Sequence, residues 1–177
     1  RGTVVRDREG RGGSLLCCER AAYAESRGLT LDALLGEGYS PFGYYLEKNG
    51  SMTFEGAEGA DKIKRLLESY VTAPATEMLG SSVTAIKNFE KETFRDVEGD
   101  VIPKEKMLIF ELADRTRVAV RGSGTEPKIK YYLFAQRNPV AKGWRGTELA
   151  TIKAEVGEQL DRLWAWLQED AERRRRE

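Results

Sequence analysis

The chain has 177 residues, of which 40% are hydrophobic and 33% charged, and its 29 Lys and Arg residues balance 29 Asp and Glu residues. This composition predicts a packed core, and a net charge of zero disfavours a general nucleic-acid-binding protein, which normally has a basic excess. The sequence contains no histidine, which excludes Ser-His-Asp triads, Cys-His dyads and every metal site that needs histidine. The two cysteines are adjacent and form no disulfide framework, and no apolar run reaches the length of a membrane span. We therefore expect a cytoplasmic location and no membrane partner.

Two helices are predicted near the beginning of the chain. The first lies within residues 6–27, which lead from a strand into the helix; it carries apolar residues on more than one face, like a helix buried between layers, and is capped by Gly28. Thr30 is placed to cap a second, short helix. Such a pair ordinarily covers a sheet, but only one strand-like segment precedes it here. Residues 1–38 are therefore interpreted as the helical remnant of an α/β domain, and the chain as a part of a longer protein.

The next segment, residues 39–50, is rich in glycine, proline and aromatic residues, which predicts a hinge or linker between two domains. An irregular loop inside one domain is the alternative.

Residues 51–172 are predicted to form one α+β domain. A short strand at residues 52–54 is followed by a helix with one apolar face, several strands with alternating apolar residues, and a long amphipathic helix. This order predicts a mostly antiparallel sheet with helices on one face. The patterns rest on Ala60, Ile63, Leu66, Leu67 and Tyr70 in the first helix, Leu108, Phe110, Leu112, Val118, Val120, Ile129, Tyr131 and Leu133 in the strands, and Leu149, Ile152, Val156, Leu160, Leu163 and Leu167 in the last helix. Residues 173–177 are predicted to be a basic tail.

The segment that carries chemistry reads R-G-S-G-T-E-P-K-I-K and begins at Arg121. Glycines at 122 and 124 allow backbone angles closed to other residues, so that consecutive N–H groups can converge on an anion. The hydroxyls of Ser123 and Thr125 add neutral donors, and the guanidinium of Arg121 is a planar fork that matches two phosphate oxygens. Glu126 would repel a phosphate, and we predict that it points away and pairs with Lys128 or Arg117. A plain Gly-rich hairpin turn is the alternative.

This run resembles the phosphate-binding loop of the α-D-phosphohexomutases, which include phosphoglucomutases and phosphomannomutases and whose loop reads R-P-S-G-T-E-P before a basic residue. Gly122 stands where the family usually has proline. The resemblance extends over nearly the whole chain, from the end of the family's third domain through its fourth, C-terminal domain.

The resemblance implies the function. Members of the family move a phosphoryl group between the 1- and 6-positions of a hexose through a bisphosphate, using a phosphoserine and Mg²⁺. Their fourth domain holds the phosphate that is not transferred and closes over the cleft. By matching positions, the phosphate contacts would be Arg121, Gly122, Ser123, Gly124, Thr125 and, with an orientation that the sequence leaves open, Lys130.

The partners implied are a hexose phosphate, a hexose bisphosphate and the remaining domains of a parent enzyme, with no nucleic acid. The family's serine, metal-binding and sugar-reading motifs are absent from the sequence. The chain is therefore expected to hold no catalytic residue, metal or cofactor, to be inactive alone, and to depend on Mg²⁺ in the parent.

Two other hypotheses belong to different classes. A stand-alone anion- or nucleic-acid-binding module is suggested by the arginines at 173–176 and by aromatic residues beside basic ones at Tyr131 and Tyr132. Subunit contacts through the last helix are suggested by the nearby Trp144, Trp164 and Trp166, although core packing of these residues is the alternative.

Overall fold

The structure, a computed structural model, describes residues 11–54, 56, 58–124, 126–138, 144 and 147–176. It divides into two compact units, one of Arg1–Tyr44 with Asn138–Ala150 and one of Tyr45–Arg137 with Thr151–Glu177. The strand-like segment predicted at residues 3–5 lies outside the described residues. The domain boundaries proposed from the sequence stay predictions.

The first unit contains helices α1 (Arg11–Ser26) and α2 (Leu31–Phe42). Gly28 has a φ of 66° after α1, and the N–H of Leu29 donates to the carbonyl of Ala24 at 2.9 Å, which closes the last turn of the helix. The side-chain oxygen of Thr30 accepts a hydrogen bond from the N–H of Ala33 at 3.1 Å. Both predicted caps are therefore present.

Two expectations for this part of the chain differ from the structure. Cys17, Cys18, Ala21 and Ala22 are exposed on α1, whereas a helix between layers would bury them; among the elements described, the main contact of α1 is with α2. Helix α2 extends into the segment predicted as a linker, since it continues through Phe42, and a strand begins at Tyr44. The segment predicted as a linker is thus largely helix and strand.

The second unit is built on a six-stranded sheet in the order β1-β6-β5-β4-β3-β2. Its elements are β1 (Tyr44–Thr53), α3 (Gly59–Thr72), β2 (Glu77–Met78), β3 (Ser81–Asn88), β4 (Met107–Leu112), β5 (Arg117–Gly122), β6 (Lys128–Arg137) and α4 (Thr147–Arg176). The pairs from β2 to β6 are antiparallel. The predicted α+β class with a mostly antiparallel sheet is confirmed.

Both long helices of this unit cover the same face of the sheet, as predicted. Tyr131 of β6 is fully buried; its hydroxyl lies 3.0 Å from that of Tyr70 on α3, and its ring packs edge-on against Trp164 of α4 with a centroid distance of 5.5 Å. Because neighbouring residues of a strand point to opposite faces, Lys130 and Tyr132 lie on the face that these helices leave uncovered.

The core lies between the sheet and the two helices. The predicted apolar stripes provide it, with Ile63, Leu66 and Tyr70 from α3, Val118, Val120, Ile129, Tyr131 and Leu133 from the strands, and Val156, Leu160, Leu163 and Leu167 from α4, all at most 8% exposed. Burying each such side chain contributes about 1.5–3 kcal/mol, so the amphipathic patterns of the sequence account for much of the stability of the unit.

A charged cluster fixes α4 to the end of α3. Asp170 is 3% exposed and pairs with Arg173 and Arg174. The guanidinium of Arg174 also donates to the carbonyls of Ser69 and Ala73 at 3.1 and 2.7 Å. Residues 173–176 therefore differ from the predicted tail: they form the last turn of α4, and one of them is part of the packing of the unit.

No helix among the described residues is both long and apolar enough to cross a membrane.

Candidate functional site

The β5–β6 hairpin brings two of the predicted site residues together. Arg121 near the end of β5 lies directly opposite Lys130 of β6. Partners in an antiparallel pair have Cα atoms about 4.5–5.5 Å apart and side chains on the same face. That face is the one opposite the buried Tyr131, so both cations lie on the side that α3 and α4 leave open. The orientation of Lys130, which the sequence left undecided, is thereby fixed.

The guanidinium of Arg121 is held on two sides. Its Nη1 donates to Oε1 of Glu105, and its centre lies 6.0 Å from the centroid of the Tyr132 ring. Its Nε is buried and has no hydrogen-bond acceptor among the described residues. The side chain of Lys130, in contrast, has neither an ion pair nor a hydrogen bond within the part of the chain that the structure describes. The two cations thus form a positively charged patch in which Nε of Arg121 and the amine of Lys130 are donors without an acceptor among the described residues.

The described residues of the loop that follows β5, Gly122 to Gly124 and Glu126 to Lys128, show no nest of backbone amides. The N–H of Ser123 donates to the carbonyl of Lys128 at 2.8 Å, which extends the hairpin ladder by one bond. Neither Gly122 nor Gly124 has a φ in the left-handed region, which an anion nest requires. Gly122 closes the strand with its missing side chain toward Ile63 and Leu67 of α3.

The neutral donors of the loop are side chains. Ser123 is partly exposed, and its hydroxyl makes no hydrogen bond to another described residue. Gly124 is exposed, and a Cβ there would meet nothing within 4 Å, so the space beside it is open. Thr125 lies outside the described residues. What the described loop offers an anion is therefore one hydroxyl and open space beside two cations.

The prediction for Glu126 is confirmed. Its carboxylate pairs with Nζ of Lys128 at 2.5 Å, and this hydrogen bond and charge lower the pKa of the carboxyl below its ordinary value. A more distant attraction from Lys130 acts in the same direction. Because its charge is neutralised by its neighbour, Glu126 does not oppose an anion at Arg121 as strongly as an unpaired carboxylate would.

The far side of the loop is fixed to the start of α3. The N–H of Phe54 donates to the carbonyl of Pro127 at 2.9 Å. A Cβ on Gly59, the first residue of α3, would lie 2.2 Å from the Phe54 carbonyl oxygen and 3.3 Å from the Cβ of Pro127. Only glycine allows this close approach, which sets the position of Pro127 and hence of the loop end.

Two residues of this site escaped the sequence analysis. Glu105 is 16 positions away from Arg121 along the chain, and no pattern of spacing predicts their ion pair. Tyr132 was considered only as a partner for nucleic-acid bases, whereas it lies against Arg121. Its place follows from the register, since Tyr132 is two residues beyond Lys130 on the same face.

Other parts of the described chain offer less defined chemistry. The described residues contain no group of three His, Cys, Asp or Glu side chains that could hold a metal ion. A cleft of about 450 Å³ lies between the sheet and α4, away from the loop. Its central polar groups satisfy one another: Gln159 donates to Asp114 and Thr116 at 2.9 Å and accepts from Arg137 at 2.7 Å.

Comparison with known proteins finds phosphoglucomutases. The phosphoglucomutase of Staphylococcus epidermidis is 32% identical over 123 residues, which are 67% of this chain and 22% of the relative. That of Staphylococcus aureus is 31% identical over 122 residues, again 67% of this chain and 22% of the relative. The chain thus spans less than a quarter of the length of these relatives. No protein-family model matches it.

Among solved structures, the open form of parafusin (pp63) from Paramecium, described as a phosphoglucomutase, matches 75% of this chain and 23% of its own, with 18% identity and a TM-score of 0.39. A likeness at this level supports no argument on its own. The sequence relatives carry the assignment together with the α+β sheet domain, whose β5–β6 hairpin presents the R-G-S-G-T-E-P-K-I-K loop. The chain belongs to the α-D-phosphohexomutases, as a C-terminal region of such an enzyme.

Proposed function

We propose that this chain binds the phosphate group of a hexose phosphate or hexose bisphosphate through Arg121, Ser123, Thr125 and Lys130, with Gly122 and Gly124 leaving room for the ligand. The parent enzyme would be a phosphoglucomutase or phosphomannomutase that moves a phosphoryl group between two positions of the sugar. The chain would hold the phosphate that is not transferred. Its other partners would be the remaining domains of the parent.

The observation that carries this proposal is the cross-strand pair of Arg121 and Lys130 on the open face of the sheet. Each hydrogen bond from a charged donor to a phosphate contributes about 1.5–3 kcal/mol. Two cations and one or two hydroxyls, set against the cost of association, predict a dissociation constant between about 1 mM and 10 µM for the chain alone. A loop whose backbone amides also converged on the phosphate would bind it more tightly than this.

The role proposed is to orient the substrate, and to exclude water when the C-terminal part closes over the cleft, rather than to make or break a bond. Fixing one phosphate determines where the other end of the sugar lies, which is a contribution of proximity to catalysis. The magnesium ion expected in the parent finds no fitting cluster among the described residues, so no step through a metal is assigned to this chain. The cytoplasmic location stays a prediction.

A titration with glucose 6-phosphate, followed by NMR chemical shifts because the expected binding is weak, tests the proposal. Arg121→Ala should weaken binding at least tenfold, as loss of about 1.5 kcal/mol or more requires. Arg117→Ala is the matched control. Arg117 lies on the same strand and the same face as Arg121, about 13 Å away along the strand. Its guanidinium carbon is 5.7 Å from the centroid of the Phe134 ring. Equal effects of the two substitutions would count against the site.

A mutase assay separates the role of the chain from that of its parent. The isolated chain should show no turnover of glucose 1-phosphate, because its sequence lacks the serine, metal-binding and sugar-reading motifs of the family. Turnover above the buffer rate by the isolated chain would contradict this part of the proposal.

Two observations weaken the alternative of a nucleic-acid-binding module. Tyr131 is fully buried and cannot stack on a base, and Arg173, Arg174 and Arg175 are paired with acidic neighbours on α4. Salt-sensitive binding to single-stranded DNA without competition by a hexose phosphate would favour this alternative; competition by the sugar phosphate alone favours the phosphate site.

A further inference from the structure

Backbone hydrogen bonds hold Glu105 beside Arg121. It lies at the end of the long β3–β4 connection, where its N–H donates to the carbonyl of Phe89 at 3.3 Å and its carbonyl accepts from the N–H of Met107 at 2.8 Å. Met107 is in turn the partner of Arg121 in the β4–β5 ladder. The carboxylate is therefore brought to the guanidinium by the register of three strands, and not by a freely moving loop tip.

The ion pair leaves Arg121 incompletely satisfied. Glu105 engages one terminal nitrogen, Nη1, while the buried Nε has no acceptor among the described residues. A buried donor without an acceptor costs free energy, so an anion that accepts a hydrogen bond from Nε would stabilise Arg121. Arg121 and Glu105 keep 35% and 47% of their side-chain surface exposed, and pairs in such surroundings are weak and exchangeable.

We propose that Glu105 is an internal competitor for the phosphate at Arg121: it holds the guanidinium over Tyr132 while the site is empty, and the phosphate of the substrate displaces it. The inference rests on the proposed function, and it adds a residue that tunes affinity and release. A phosphate binds only those molecules in which Arg121 is not paired with Glu105. The apparent dissociation constant is therefore the intrinsic constant divided by the fraction of such molecules.

Charge acts in the same direction after displacement. A phosphate ester carries a charge of about −1.5 to −2 at neutral pH, and a carboxylate that remains nearby repels it. A half-exposed ion pair together with this repulsion predicts that Glu105 weakens phosphate binding by about three- to tenfold. The benefit to an enzyme would be a faster departure of the ligand, since affinity changes of this kind appear mainly in the dissociation rate.

The test compares Glu105→Gln with Glu98→Gln in the full chain, using glucose 6-phosphate and inorganic phosphate as probes. Glu105→Gln keeps the shape of the side chain and removes its charge. Glu98→Gln removes the same charge from the same connection at an exposed residue that forms no ion pair among the described residues. Glu105→Gln should bind both probes three- to tenfold more tightly, and Glu98→Gln should bind them as the unchanged chain does.

A gain in affinity is a result that a merely structural role of Glu105 would not give, since disturbing the loop would weaken binding. Should Glu105→Gln fold poorly in a melting experiment, Glu105→Asp, which withdraws the carboxylate by one methylene, should give a smaller gain in the same direction. Unchanged or weaker binding by both variants, with binding still lost in Arg121→Ala, would overturn the role of Glu105 and leave the proposed site intact. Absence of phosphate binding in every variant, or full binding by Arg121→Ala, would instead overturn the proposed function and this inference with it.

Discussion

The buried carboxylate of Asp170 should be among the most sensitive positions of the chain to substitution. Its side chain is 1% exposed, and its main partner, Arg174, has a side chain that is 9% exposed. Asp170→Ala would leave a buried guanidinium without its counter-charge, a change that costs about 3–5 kcal/mol when nothing else compensates. Here the guanidinium keeps the carbonyls of Ser69 and Ala73 and the face of the Tyr70 ring at 4.8 Å. We therefore expect a loss of about 2–4 kcal/mol in the free energy of unfolding.

The measurement is urea-induced unfolding followed by circular dichroism, with hydrogen exchange of the β5 and β6 amides to report on the second unit alone. Glu172→Ala is the matched control, because Glu172 also pairs with an arginine, Arg175, on the same helix but with both side chains at least 37% exposed. Its removal should cost less than about 0.5 kcal/mol. If Asp170→Ala lost no more stability than this control, the view that the cluster fixes α4 to α3 would be wrong.

Further predictions concern pH, a glycine and the loop. Burial raises the pKa of Tyr70 to about 12 and also raises the pKa of Tyr131. Unfolded tyrosines ionise near pH 10, so the stabilisation is complete below pH 10 and should be lost as the pH rises from 10 to 12, by about 1.4 kcal/mol per pH unit and tyrosine. Unfolding curves of Tyr70→Phe should show a shallower decline and those of Tyr45→Phe, whose side chain is exposed, an unchanged one; parallel declines in all three proteins would refute the assignment. Gly59→Ala should lower stability by about 1–3 kcal/mol, because its Cβ would lie 2.2 Å from a backbone oxygen; a melting temperature equal to that of the unchanged chain would show that the approach relaxes without cost. Glu126→Gln should change phosphate affinity by no more than about twofold, since its charge is already neutralised, and markedly tighter binding in an NMR titration would mean that the carboxylate faces the anion after all.

The sequence predicted those elements in which local pattern and tertiary environment agree. Helix α3 buries one apolar stripe and α4 another, and Gly28 and Thr30 carry out their capping roles with the bonds expected of them. The hairpin of β4 and β5 follows from alternating residues around the turn at residues 114–115. In each case the same residues determine the local conformation and the buried face.

Only the end of strand β1 was predicted, at residues 52–54, because two inward positions in the middle of the strand hold residues that are not apolar. Lys48 lies on the helix side of the sheet, where its amine pairs with Asp161 of α4. A Cβ on Gly50 would lie only 2.5 Å from the ring of Trp164, so the indole packs here because glycine has no side chain. A charged residue and a glycine at buried-face positions hide the period of two on which strand prediction depends.

The sequence predicted which loop residues lie together in the candidate site, whereas the position of Lys130 and Glu105 depends on register. The loop residues share one short stretch, so their association was visible. Whether Lys130 faces Arg121 depends on the number of residues between β5 and β6, and a shift by one would place it among the core residues. The pairing of Glu105 with Arg121 depends in addition on the path of the long β3–β4 connection, which no local pattern reports.

The position of α4 in the chain has a consequence for synthesis on the ribosome. Helix α3 and the hairpin with Arg121 and Lys130 emerge first, but the face of the sheet that carries Val118, Val120 and Ile129 is fully covered only when α4 supplies Val156, Leu160, Leu163 and Leu167. Until then a nascent chain presents a broad apolar surface of the kind that chaperones bind. Translation stalled before this helix should therefore yield a polypeptide whose anion-binding strands are complete but aggregation-prone.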